Sequence, residues 1–500
     1  MAVKDNVVTY VEWGTRPGTA VARSAFYDKG TSSWCDFWYF SFDYPSLSAT
    51  GEEVTLSALA ALPDGNAKVS ELNNVIVGCH ITMTSNRQCP TEYINSGSML
   101  SDVFVMMSHA GDGLGIKADP SNQCYYNLVI LPDYEGYGVS EDRTHPYLCE
   151  EITARQVVDA VRYGIELYNN DEKVASVRRP FREGWRTICE GYSQGGAVAL
   201  ATHRYIEQQG LSDELQLAGS VCGDGPYDPL ATFLYYMERD QAGEELSLPV
   251  VLPLILKGLC DFNPYMTEHV LSDYIEERLL ETGIISWLDS KVKTTDEITA
   301  AWKDLYKNGK DGDATYFRGV LTSSGGARLC NTLKPEVYAY FDSLLVHNPN
   351  YATAGITLPS KSGVSEDLHL ALESNNLTRG WIPEHTICLY HSTNDDVVPY
   401  QNCSRVQASF GNRVIFYASS NNGKHTPTGT EFFTSKSREE AINMLAGLPV
   451  HPDNDATGIE NREQRIYNNS QCYDLQGRRL KAMPAQQGIY IIDGRKVIIR

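Results

Sequence analysis

The stretch Thr187-Ile188-Cys189-Glu190-Gly191-Tyr192-Ser193-Gln194-Gly195-Gly196 constrains the fold of this chain more than any other. A β-rich run, Trp185 to Cys189, leads into a glycine-flanked serine. Gly196-Ala197-Val198-Ala199-Leu200-Ala201-Thr202-His203-Arg204-Tyr205 follows, with the small residues and helix formers that a helix packed closely on a sheet needs. The reading is strand, sharp turn, helix, with Ser193 at the apex. The G-x-S-x-G spacing has a steric origin. The serine is held in a strained backbone conformation, and bulky neighbours two residues away on either side would collide. Gly191 and Gly195 remove those collisions. Ser193 Oγ is then expected to project above the sheet, with the Gln194 amide at the helix start facing any developing oxyanion. An ordinary glycine-rich loop can carry the same short pattern; the flanking strand and helix argue against that reading.

The surrounding pattern fits. Phe40 to Ser46 and Gly51 to Leu59 suit two antiparallel strands joined by a turn. Asn74 to His80 and Tyr126 to Asp133 are continuous apolar runs, as buried parallel strands require. Ile152 to Asn169 has helical spacing, with Ala154, Val157, Val158, Val161 and Ile165 on one side. A further strand is expected over Leu215 to Cys222. Alternating strands and helices imply a mostly parallel α/β sheet. From Pro226 to Glu384 the patterns are chiefly helical, including Pro229–Tyr236, Leu271–Thr282, Thr295–Tyr306 and Lys334–His347. That span is too long for a loop and reads as an insertion. Strands resume at His385–His391 and Asn412–Tyr417, and a last helix is expected over Glu431–Leu445. The predicted division is therefore a core over 1–225 and 385–446, a helical insertion over 226–384, a Pro- and Asp-bearing linker over 447–462, and a small β module over 463–500. In the last, Asp493-Gly494 marks a hairpin bend.

The chain has 500 residues and a formal net charge of −21, which disfavours nucleic acid and anionic membranes as partners, since both need a basic face. No run approaches the length of a transmembrane helix. Met1 to Asn6 carries no apolar signal region, so the protein is either cytosolic or read without its leader. The twelve cysteines are scattered with no C-x-x-C pair, which argues against a zinc site. Cys189, Cys222 and Cys388 fall in apolar runs and read as small core residues. No metal or organic cofactor is expected, and the oligomeric state is not legible.

A serine nucleophile needs a base, and the base an orienting carboxylate. After the strand ending at Tyr390 comes His391-Ser392-Thr393-Asn394-Asp395-Asp396-Val397-Val398-Pro399. A carboxylate there sits at the carboxyl edge of the sheet, where such sites are built. Asp395 is the expected acid; Asp396 is expected to be solvated or to cap the turn. His425 lies in the polar, loop-like segment Ser419–Thr430, and is the only histidine between the last strand and the last helix. It is the expected base, in the chain order serine, acid, histidine. His109 and His145 precede Ser193 and so have the wrong order. Asp224, after the strand that follows the elbow, is an alternative acid, with capping of the insertion as its expected role. A second oxyanion donor is expected from Gly78-Cys79-His80-Ile81-Thr82, with the Thr82 amide as candidate and His80 as a structural residue.

Together with Tyr44-Pro45-Ser46, Leu131-Pro132-Asp133-Tyr134-Glu135-Gly136-Tyr137-Gly138-Val139-Ser140 and His145-Pro146-Tyr147, these residues resemble α/β-hydrolase esterases of the secreted lipase-like group. The resemblance spans about residues 40–445. It implies an α/β-hydrolase fold with a helical cap over the acyl pocket, Leu246 to Leu256 lining an acyl channel, and a small-molecule acyl ester as substrate. It leaves a serine peptidase, or a non-catalytic surface binding protein on the same fold, as alternatives. The tail from Tyr473 to Tyr490 resembles the C-terminal β module of exported Bacteroidetes-type proteins, which implies secretion or surface association.

Overall fold

The computed structural model describes residues 37–63, 69–92, 102–111, 126–175 and 178–448, together with the backbone of strands before and after them. The main sheet comprises β1 (Ala2–Lys4), β2 (Val7–Trp13), β3 (Ala20–Asp28), β4 (Ser33–Leu47), β5 (Glu53–Pro63), β6 (Val75–Cys79), β7 (Leu128–Pro132), β8 (Thr187–Tyr192), β9 (Leu217–Gly223), β10 (Thr386–His391) and β11 (Val414–Ala418). Their order is β1-β2-β3-β4-β5-β7-β6-β8-β9-β10-β11. Pairing is antiparallel from β1 to the β5–β7 contact, and parallel from β7 through β6, β8, β9 and β10 to β11. Every residue of β6, β7, β8 and β9 is buried, as their unbroken apolar runs require.

Both faces of the sheet are covered. Val75, Val77, Leu128, Ile130 and Cys189 pack with α1 (Glu150–Asn170) and α2 (Gln194–Gln208) in one core. The alternating residues Ile76, Val129, Leu131 and Ile188 pack on the other side, with Phe104, Met106, Ala441 and Leu445. This two-residue alternation makes a central strand apolar throughout.

Between β9 and β10 run the helices α3 (Pro229–Gln241), α4 (Val251–Phe262), α5 (Thr295–Asn308), α6 (Pro335–His347) and α7 (Val364–Ser374), sharing a third core around Trp302, Phe341 and Leu256. α5 opens on a capping box: Thr294 Oγ1 accepts from Glu297 N (3.3 Å), and Glu297 Oε2 accepts from Thr294 N (2.9 Å). Past β10 come α8 (Gln401–Phe410), α9 (His425–Thr434) and α10 (Lys436–Leu445).

Three expected elements differ. Leu271–Thr282 is not one helix: Ile275 bridges Leu333, and Glu276 N donates to Thr332 O (2.9 Å), which pulls the chain into an extended crossing. The strand expected from Leu215 starts at Leu217, because Ser212–Leu215 forms a helical turn closed by Gln216 at φ 51°. The last helix is two, divided where Ser435 Oγ accepts from Arg438 N (3.2 Å).

The chain divides into two compact units, the larger ending at Leu448. In the second, Cys472–Tyr473, Gly488–Ile492 and Arg495–Ile499 form a three-stranded antiparallel sheet. The expected bend at Asp493-Gly494, and the expected linker from residue 449 on, lie outside the described residues. Among the described residues, no helix is long and apolar enough to cross a membrane. Nine cysteines among them are free thiols, and Cys189, Cys222 and Cys388 are fully buried.

Candidate active site

β8 turns directly into α2 at Ser193, whose φ of 58° and ψ of −123° lie where a residue with a side chain is strained. Ser193 N donates to Gly223 O (2.9 Å), which ties the turn to the end of β9. The flanking glycines are sterically required. A Cβ on Gly191 would come within 2.7 Å of Cys79 O and closer to the Gly195 carbonyl. One on Gly195 would come within 2.8 Å of His80 O and closer to Cys79 O. The end of β6 therefore enforces the motif as much as the turn does.

Asp395, on the loop after β10, accepts at Oδ1 from Val397 N (2.8 Å) and Val398 N (2.7 Å). Its Oδ2 lies 2.6 Å from His425 Nδ1, and His425 Nε2 lies 2.9 Å from Ser193 Oγ. A carboxylate only accepts, so Nδ1 carries the proton and Nε2 turns a lone pair to the hydroxyl. Burial would raise the Asp395 carboxyl, but the bond to His425 and its charge hold it below the usual carboxylate range. His425 is not on a free loop: it is the first residue of α9, with Pro427 in the first turn, where a missing N–H costs nothing. Asp396 is neither simply solvated nor a cap of its own turn. Its Oδ1 accepts from His425 N (3.2 Å), and its Oδ2 lies 3.1 Å from Lys424 Nζ. The adjacent aspartates thus hold the same histidine, one by its ring and one by its backbone.

The expected oxyanion donors lie on either side. Gln194 opens α2, and its side-chain Nε2 lies 2.8 Å from His145 Nε2. His145 Nδ1 meets Glu135 O at 2.9 Å, and burial pushes its imidazole down to about 3. His145 is therefore a neutral acceptor that orients Gln194. On the opposing loop, His80 lies between Ile81 O (2.7 Å) and Asp133 O (3.1 Å). The Ile81 amide is spent on Asp102 Oδ2 (2.9 Å). Thr82 Oγ1 meets Tyr147 Oη at 2.7 Å, and Thr82 shares a cavity wall with Ser193. His109 meets another partner: its Nε2 lies 3.6 Å from Glu190 Oε1, beside the bidentate Arg438–Glu190 pair (2.7 Å and 2.7 Å).

Asp224 does not cap the helical segment. Asp228 does so, accepting from Ala231 N at 3.0 Å. Asp224 is fully buried, and one oxygen from it, one from Asp395 and one ring nitrogen of His425 lie within 4.8 Å of one another. Asp224, the alternative acid, thus stands beside the expected one, because Asp224 and Asp395 follow the neighbouring parallel strands β9 and β10.

Ser193 lines a largely apolar cavity. Leu246, Leu248, Val251, Leu252 and Ile255 line it, with Phe233 of α3. A second His/carboxyl cluster, His203, Glu207 and His385, is an internal hydrogen-bond knot. There Glu207 Oε1 meets His203 Nε2 (2.9 Å), His385 Nδ1 (2.8 Å) and His385 N (2.8 Å).

No protein-family model and no curated protein sequence matches the chain. Solved structures do. The rice cell wall degrading esterase LipA from Xanthomonas oryzae is 21% identical, with a TM-score of 0.60 over 83% of this chain and 92% of that one. A ligand-bound form of LipA is 22% identical, with a TM-score of 0.57 over 83% and 90%. A candidate hydrolase from Legionella pneumophila is 16% identical, with a TM-score of 0.58 over 83% and 91%. With a mixed sheet, parallel from β7 to β11 and clothed by helices on both faces, and a sharp strand–turn–helix elbow at Ser193, the chain has the α/β-hydrolase fold.

Proposed function

We propose that the chain is a serine hydrolase of carboxylic esters working through an acyl-enzyme. The observation that carries this reading is the continuous contact Ser193–His425–Asp395, with bonds of 2.9 Å and 2.6 Å, with Ser193 in the lining of an apolar cavity. His425 Nε2 takes the Ser193 proton as Oγ attacks the ester carbonyl, then returns it to the leaving alcohol. Asp395 holds the tautomer and stabilises the imidazolium that forms. The Gln194 and Thr82 amides receive the oxyanion. Water then repeats the sequence on the acyl-enzyme. The segment 226–384 serves as a cap, with its Leu246–Ile255 stretch receiving the acyl chain. That apolar lining supports an ester with an aliphatic acyl group over a peptide. The esterase LipA as a structural neighbour supports the same direction, and the resemblance of the tail to a module of exported proteins supports secretion or surface association. The test is turnover of p-nitrophenyl acyl esters beside dipeptide anilides. Ester turnover, lost by about 10⁶-fold in Ser193→Ala, is expected; turnover that survives this substitution would refute the assignment.

A further inference from the structure

The proton count around His425 requires one more proton than two carboxylates allow. Tyr192 Oη lies 2.5 Å from Asp224 Oδ2 and 2.7 Å from His425 O. A phenol has a single proton, and a carbonyl and a carboxylate both only accept. A proton on Asp224 satisfies both contacts; an ionised Asp224 leaves one of them unmade. His391 does not neutralise Asp224 as a cation. Its Nε2 donates the ring proton to Val398 O (3.1 Å), and burial pushes the imidazole down to about 4, so its Nδ1, 3.1 Å from Asp224 Oδ1, faces the carboxyl as a lone pair and likewise favours a proton on Asp224. Asp395 is the better carboxylate of the pair, since it takes two backbone amides and the His425 ring, whereas the one backbone amide bonded to Asp224 is Ser392 N (3.1 Å). Burial first, then the charge of Asp395, push the Asp224 carboxyl well above the usual range.

We propose that Asp224 is a positioning residue: a neutral carboxylic acid beside Asp395 in the resting site, and a reserve acid that ionises and orients His425 when Asp395 is removed. The inference rests on the triad reading above. Two neighbouring strand ends, β9 and β10, each deliver a carboxyl to one imidazole, so losing one leaves the other within reach.

The experiment measures kcat and KM on a p-nitrophenyl ester for Asp224→Asn in two backgrounds, wild type and Asp395→Ala. Asparagine keeps the shape and one acceptor, and thermal melts check folding. Expected is a cost in kcat of about tenfold or more in the Asp395→Ala background, and a clearly smaller one in wild type, with KM little changed. Asp224→Glu, which retains the carboxyl, is expected to keep more of the residual kcat than Asn in the Asp395→Ala background. Equal factors in both backgrounds, or Glu no better than Asn, would overturn the inference and reduce Asp224 to a structural group. Activity surviving in Ser193→Ala would instead remove the triad reading and the inference with it.

Discussion

Ser193 keeps a backbone conformation that is tolerable only because its neighbours over-determine it: the end of β6 presses on Gly195 while Gly223 O holds the serine amide. Gly195→Ala is therefore expected to destabilise the protein by about 1–3 kcal/mol or more, read as a lower Tm or loss of soluble protein, whereas an unchanged Tm would mean the turn has room to relax. At this scale much of the candidate site was legible. Ser193 announced itself through the two glycines, and Asp395 and His425 through their order along the chain. Illegible were the groups defined by three-dimensional neighbours. Asp396 reads as a turn residue until α9 brings the His425 amide to it, and Tyr192 reads as a strand residue until its hydroxyl reaches two separate loops.

The elbow strand β8 is locked to the C-terminal helix α10 by the Glu190–Arg438 pair, with the two side chains 0% and 3% exposed. Removing one partner leaves a buried, uncompensated charge, so Arg438→Met is expected to cost about 3–5 kcal/mol. Adding Glu190→Gln to it should recover a large part, as calorimetry of the single and double variants would reveal. In the helical segment, α4 presents Leu252 to the cavity over Ser193. Filling that space with Leu252→Trp should lower kcat/KM for p-nitrophenyl octanoate by about tenfold or more, while changing that for the acetate far less. An equal loss on both esters would detach this cavity from acyl binding. Element types were readable where helical spacing held, as over Thr295–Tyr306, which falls within α5. They were not readable at Leu271–Thr282, where helical spacing yields to backbone pairing with Thr332 and Leu333, a partner no local pattern discloses.

Across the whole molecule, the sheet and its two helical layers leave Glu150 buried at the start of α1, both carboxyl oxygens without a hydrogen-bond partner. Burial pushes it from 4.5 up to about 8. A folded-state value above the unfolded one means the folded protein binds the extra proton. The associated stability is then complete below about 4.5 and is lost as pH rises towards 8. Glu150→Gln, which cannot ionise, should therefore gain in Tm relative to wild type as pH goes from 5 to 8; a pH-independent difference would contradict that. The alternating order of strands and helices made this architecture legible, while the burial of one acid at a helix start was not. The central claim, that His425 and Asp395 make Ser193 a nucleophile, is tested most directly by mass spectrometry of the intact protein after exposure to a fluorophosphonate. One adduct per chain on the Ser193 peptide, formed by wild type and lost in a folded His425→Ala variant, is the expected result. No adduct, or one on another residue, would contradict it.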